Sequence, residues 1–305
     1  MPVVVVTDST ASLLPELADK RGIVVVPLQV VIGADVYDEG SEGATPELVA
    51  MALKEFRPVS TSRPTPAALL EVYQECARRG ATEIVSVHLS AEMSGTFESA
   101  QLAARESPVP VVPVDSRQVG AATGYAALSA ADVVDAGGSA ADAAEAARER
   151  ASRCRSLFYV DTLEYLRRGG RIGAAAALVG GALAVKPLLE ISEGRVASLE
   201  RVRTSGRALA RLEELAVQAA GSDPVDVTVA HLASPERAGQ LQEKLAARLA
   251  GNLEGREVGC AELGAVLGAH VGPGMLGVCV APLLCAAPPP DDPPAVVHRP
   301  TGRPG

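Results

Sequence analysis

Short apolar runs alternate with helically spaced segments through the first half of the chain. Val3–Val6, Ile23–Ile32, Ile84–His88 and Val109–Val114 are continuous, β-branched runs of strand length, the pattern of strands covered on both faces in a parallel sheet. Between and after them, Pro66–Arg79, Gly95–Glu106 and Gly120–Asp135 carry helical spacing. Thr65 stands where an N-cap is expected, with Pro66 just inside the helix start. The alternation predicts βαβ units, a sheet with helices on both faces.

The texture changes after the charged, Ala-rich helix expected over Ala140–Arg153. Strand-like segments follow at Leu157–Val160, Leu188–Ser192, Ala197–Val202, Val225–Leu232 and Glu257–Glu262, with helices expected at Ser205–Ala220 and Pro235–Leu249. Glu193-Gly194 reads as a hairpin turn. The fold class expected is α/β with two α/β domains. The first, residues 1–153, is a three-layer domain on a parallel sheet; the second, 154–285, is a smaller mixed-sheet α/β domain. Residues 286–305 carry seven prolines and no apolar period, which predicts a disordered tail.

The 305 residues suit two domains, and 48% apolar with 21% charged residues is a globular balance. A net charge of −9 argues against nucleic acid as a partner, because phosphate binding needs a basic surface. No apolar stretch is long enough to span a bilayer, so an integral membrane protein is not expected, although transient contact with a membrane surface is compatible with the sequence. No secretory signal opens the chain, and a cytoplasmic protein is expected. Five cysteines at 76, 154, 260, 279 and 285 form no CxxC pair, and each is expected to be a small buried residue in a reduced compartment. The four histidines are scattered, so no metal site and no cofactor is expected. With no Trp and three Phe, an internal cavity would have mainly aliphatic walls.

Walker, GxGxxG and GxSxG motifs are absent. Four hydroxyl-rich turns remain: Thr7-Asp8-Ser9-Thr10, Ser60-Thr61-Ser62-Arg63-Pro64, Ser90–Thr96 and Asp115-Ser116. Expected at strand ends, they suggest either an anion site of neutral donors or simply helix caps. Gly169-Gly170 breaks a helix beside Arg167, Arg168 and Arg171, a basic spot for a phosphate or an acidic partner, or merely charges favoured at a helix end. Ala269–Gly274 places a lone His270 in a glycine-proline turn whose fixed backbone could aim the imidazole.

Together these stretches resemble the DegV family of bacterial fatty-acid-binding proteins. The resemblance is carried by TDST (7–10), TSRPTP (61–66), LSAEMSGTFESA (89–100), VDS (114–116), DTLEYLRRGGRIG (161–173), KPLLEISEG (186–194), RVRT (201–204) and HVGPG (270–274). They span about residues 3–282. The chain departs from the family at Arg63, often Gln, and at Val271, frequently Thr. Arg63 is expected to alter the pocket mouth.

The resemblance implies a long-chain fatty acid as bound ligand, with its carboxylate held by Thr61, Ser62, Ser94, Gly95, Thr96 and His270. It also implies presentation of that carboxylate to a separate ATP-dependent fatty acid kinase, which makes an acyl-phosphate for phospholipid synthesis. Arg171 and Arg203 are the candidate contacts to phosphate or partner. The protein itself is then a carrier without turnover. Physical chemistry agrees: a buried methylene is worth about 0.8 kcal/mol, so roughly fourteen supply on the order of 11 kcal/mol before binding costs. The head group therefore needs orientation more than strength. Two rivals are a sensor or binding module for another lipid-like ligand without a kinase, and a hydrolase using Ser94 as nucleophile.

Overall fold

The computed structural model describes residues 3–178 and 186–284. The chain opens with β1 (Val3–Asp8) and β2 (Val24–Val26), forms β3 (Gln29–Ile32), β4 (Asp35–Asp38) and β5 (Val59–Ser62), and returns with β6 (Glu83–His88) and β7 (Val111–Asp115). A four-stranded sheet runs in the order β2-β1-β6-β7, all parallel. Helices Pro66–Arg78 and Thr96–Glu106 cover one face, where Leu69, Tyr73 and Ala100 meet Val6 and Ile84. Helices Ala121–Asp135 and Ala140–Arg153 cover the other through Ala126, Ala130, Ala143 and Ala147. Small side chains allow these two helices to approach each other and the sheet closely.

Ile23–Ile32 is not one strand. Pro27 has no N–H to continue a ladder, and the run splits into β2 in the parallel sheet and β3 in a separate antiparallel sheet of order β4-β3-β5. Helix Pro46–Lys54 packs in the same cluster through Val49 and Leu53.

The second half contains β8 (Arg155–Tyr159), β9 (Lys186–Ser192), β10 (Arg195–Val202), β11 (Val225–His231), β12 (Gly259–Glu262) and β13 (Leu276–Pro282). They form one mixed sheet in the order β10-β9-β8-β13-β11-β12. The strand passed over by sequence, β13, lies near its middle, paired with β8 and β11. Glu193 and Gly194 turn the β9–β10 hairpin with positive φ at both positions, as a type I′ two-residue loop requires. Helices Ser205–Ala220 and Pro235–Arg248 bury one face of this sheet through Leu212, Leu241 and Leu245. Its opposite face lines a cavity. Cys76, Cys154 and Cys279 are buried, but Cys260, on the edge strand β12, is exposed. The predicted tail at 286–305 lies outside the described residues. Among the described residues no helix is long and apolar enough to cross a membrane.

Candidate ligand-binding site

The cavity, of about 130 Å³, lies between the mixed sheet and segments of the first half of the chain. Strand register lays out its floor. Phe158, Gly277 and Ala230 face one another across β8, β13 and β11, and Ser156, Cys279 and Thr228 form the next inward-facing row, about 7 Å further on. Leu28, Leu89, Met93, Leu166, Ile191, Val196, Leu263 and Leu267 complete mostly aliphatic walls. Gly120 and Ala121 also line it, where helix Ala121–Asp135 begins. The hydroxyls of the Ser156–Thr228 row are already partnered: Ser156 donates to Gln118 Oε1 at 2.9 Å, and Thr228 shares a 2.7 Å bond with Tyr125.

Thr61, Ser94, Arg171 and His270 gather as the cavity's other polar group. Thr61 comes from β5, with Ser60 and Ser62 on the opposite, exposed side of the strand. Ser94 comes from the turn after β6, where its Oγ lies 2.9 Å from Thr96 Oγ1 and accepts from the Thr96 N–H. His270 occupies the last turn of helix Ala265–Val271, not the glycine-proline turn, which begins one residue after that helix. Gly272 starts that turn with φ +76, and a Cβ there would strike the Tyr165 ring.

His270 Nε2 lies 2.9 Å from Thr61 Oγ1. Its Nδ1 is buried without a partner among the described residues and abuts Gly169. A buried N–H without an acceptor is costly, which favours the tautomer with its proton on Nε2. That N–H donates to Thr61, leaving the threonine hydroxyl hydrogen free to turn into the cavity. Burial, and secondarily the Arg171 charge, pull the His270 pKa down to about 4, so the ring is neutral at physiological pH. Arg171 donates from Nε to the Met93 carbonyl and from Nη1 to that of Gly169, stapling the Ser94 turn to the segment behind the histidine.

The remaining predicted positions are elsewhere. Ser62 is exposed and outside the cavity wall. Gly95 and Thr96 back Ser94 without lining the cavity: Thr96 is fully buried at the start of its helix, and Gly95 lies under the Arg63 guanidinium. Arg203, exposed just past the end of β10, is not in the wall. Of the four hydroxyl turns only Ser90–Thr96 combines a position at a parallel-strand end with the cavity; Thr61 reaches it from the antiparallel sheet. Asp115 and Ser116 serve local bonds to Ala91, Arg117 and Thr123.

A family model described as "Uncharacterised protein, DegV family" matches residues 2–283. The chain belongs to the DegV family. A DegV domain-containing protein of Streptomyces coelicolor is 52% identical over 278 residues, which is 91% of this chain and 98% of that protein. Protein DegV of Bacillus subtilis is 34% identical over 282 residues, covering 92% and 99%. Two solved DegV structures, from Thermus thermophilus and B. subtilis, each superpose with a TM-score of 0.84 at 33% identity, over 93% of this chain and 100% of theirs. The first is a study of fatty acid binding by a DegV family protein, and the second protein is a fatty acid binding protein.

Within this DegV chain the structure adds a residue whose role the sequence left open. Arg63 donates from Nη1 to the Gly95 carbonyl at 3.1 Å and pairs with Glu98 at 2.9 Å, joining the turn that follows Thr61 to the one that carries Ser94. Its departure from the family pattern was the available signal. The hairpin turn also docks across the chain, with Ser90 Oγ donating to the Gly194 carbonyl at 2.7 Å; nothing in the sequence links residues 104 positions apart.

Proposed function

We propose that this protein binds a long-chain fatty acid, tail along the apolar floor of the mixed sheet and carboxylate at Thr61, Ser94 and His270, and presents that carboxylate to a separate ATP-dependent kinase. The observation that carries the reading is the Thr61–His270 pair, partly desolvated in the wall of an aliphatic cavity and set beside Ser94 and Arg171. Neutral donors orient a carboxylate without trapping it, and Arg171 supplies positive charge that is already shared with two carbonyls. The same set tolerates the added charge of an acyl-phosphate, formed when the carboxylate oxygen attacks the terminal phosphorus of ATP and ADP leaves.

No turnover is assigned to the protein itself. Ser94 bonds Thr96, while His270 Nε2 gives its proton to Thr61 and the basic Nδ1 is buried against Gly169, so the serine has no activating partner. This arrangement speaks against the hydrolase reading. A carrier working in the cytoplasm and feeding phospholipid synthesis is the role that fits.

The kinase step is tested with a fatty acid kinase from the same genome, ATP and protein saturated with labelled fatty acid. Arg203→Ala should bind fatty acid as the parent does but support less acyl-phosphate formation, because an exposed cation near a partner surface acts on encounter more than on the ligand. Unchanged turnover would remove Arg203 from the presentation surface; no acyl-phosphate even with the parent would leave a fatty-acid-binding module without a kinase.

A further inference from the structure

Helix Ala265–Val271, which carries His270, starts without a side-chain cap of its own, because its N-cap is Gly264. The cap comes from 227 positions away. Glu39, directly after β4, accepts the Val266 N–H on Oε1 at 2.7 Å. A Cβ on Gly264 would lie 2.3 Å from that oxygen, so glycine at the N-cap is what admits the foreign carboxyl. Glu39 is itself anchored to the chain after β2. Its main-chain N–H donates to the Leu28 carbonyl at 2.8 Å, and the Leu28 N–H donates in turn to the Ser9 hydroxyl at 2.9 Å. Leu28 and Val266 both line the cavity.

This arrangement explains a motif that the ligand site does not use. Thr7-Asp8-Ser9-Thr10 contributes no residue to the cavity wall, yet Ser9 holds the N–H of Leu28, a wall residue whose carbonyl in turn holds the main chain of Glu39. From Val266 to His270 is four residues, about 6 Å along a helix, so a shift at the capped end is delivered to the imidazole.

Resting on the fatty-acid reading above, we propose that Glu39 is a positioning residue for the head group: by capping Val266 it fixes the helix that sets His270 Nε2 against Thr61. The carboxyl is an expensive device to bury. Desolvation, with a smaller contribution from the Asp8 charge, raises its pKa against the pull of the nearby Ser9 hydroxyl and the Val266 N–H, and its Oε2 has no partner among the described residues. A group serving only to fill space there would be apolar, since an underused buried carboxyl costs stability.

The test compares Glu39→Ala, Glu39→Gln and Gly264→Ala in the full chain, with two readouts at a temperature where each is folded: the affinity for radiolabelled palmitate, and the NMR titration of the His270 ring in ligand-free protein. Glu39→Gln keeps the acceptor and should match the parent in both. Glu39→Ala should bind palmitate about tenfold more weakly, with the His270 pKa rising from about 4 toward the ordinary 6.5 as the ring loses its fixed, dry position. Gly264→Ala retains Glu39 but pushes it off Val266, so it should reproduce the alanine phenotype and decides the matter if Glu39→Ala does not fold. Lower melting temperatures with parent-like affinity and His270 titration would make Glu39 a fold element only and overturn the proposal. Thr61→Ala is the control: loss of binding there without loss in either capping variant overturns the Glu39 assignment alone, whereas normal binding by Thr61→Ala overturns the head-group reading and this inference with it.

Discussion

Two polar clusters in this molecule use the same side chains to opposite ends. In the parallel sheet, Tyr73 donates to Ser86, Ser86 Oγ lies 2.8 Å from His88 Nε2, and His88 Nδ1 lies 2.9 Å from Asp8 Oδ2, which also accepts the Leu89 N–H. All four side chains belong to residues with no exposure. The order Ser–His–Asp matches a nucleophile relay, but each group is satisfied within the protein and none lines the cavity; this is a cross-link between β1, β6 and helix Pro66–Arg78. At the cavity, Thr61 and Ser94 are hydrogen-bonded only in part and keep bonding capacity for something else, with His270 orienting Thr61. Residue type does not separate the two clusters. Counting partners and asking which group faces open space does.

The largest expected effect comes from breaking the buried cluster. Asp8→Ala strips partners from His88, Leu89 and Thr10 at once and should cost about 3 kcal/mol or more of stability, read by denaturant unfolding. A loss below about 1 kcal/mol would mean that the network is not the cross-link described. A smaller effect of a different kind is expected at the cavity. Thr61→Ala and Ser94→Ala should each weaken fatty-acid binding by about 1–3 kcal/mol while the ligand-free unfolding curve moves little, because both hydroxyls are only part-buried. If these variants instead destabilise the free protein and leave affinity alone, the two clusters do not differ in kind.

How much of this is legible in the sequence varies with the range of the interaction. Strands with uninterrupted β-branched runs, and helices with caps such as Thr65 or Ser139, are written in local sequence. The α/β class followed from them. The β3–β4–β5 sheet was not legible, because β4 and β5 are short and polar and the decisive break is the single Pro27. β13 is not legible either, because a fully buried central strand shows no alternation to distinguish it from any apolar stretch. Thr61, Ser94 and His270 were named from a resemblance, and their meeting is a matter of tertiary structure: the 209 positions between Thr61 and His270 are closed by packing. The resemblance implies Ser62 together with Thr61, but strand alternation turns adjacent residues to opposite faces. Glu39 had no local signal at all, since its partner's only mark in the sequence is a glycine.

Whether the cavity holds an acyl chain can be read by native mass spectrometry of the purified protein. The purified protein should retain one long-chain fatty acid in its cavity, released on denaturation as a free acid, with occupancy reduced in Thr61→Ala. A protein that emerges empty, and stays at its apo mass after incubation with long-chain fatty acids, would contradict the acyl-chain assignment.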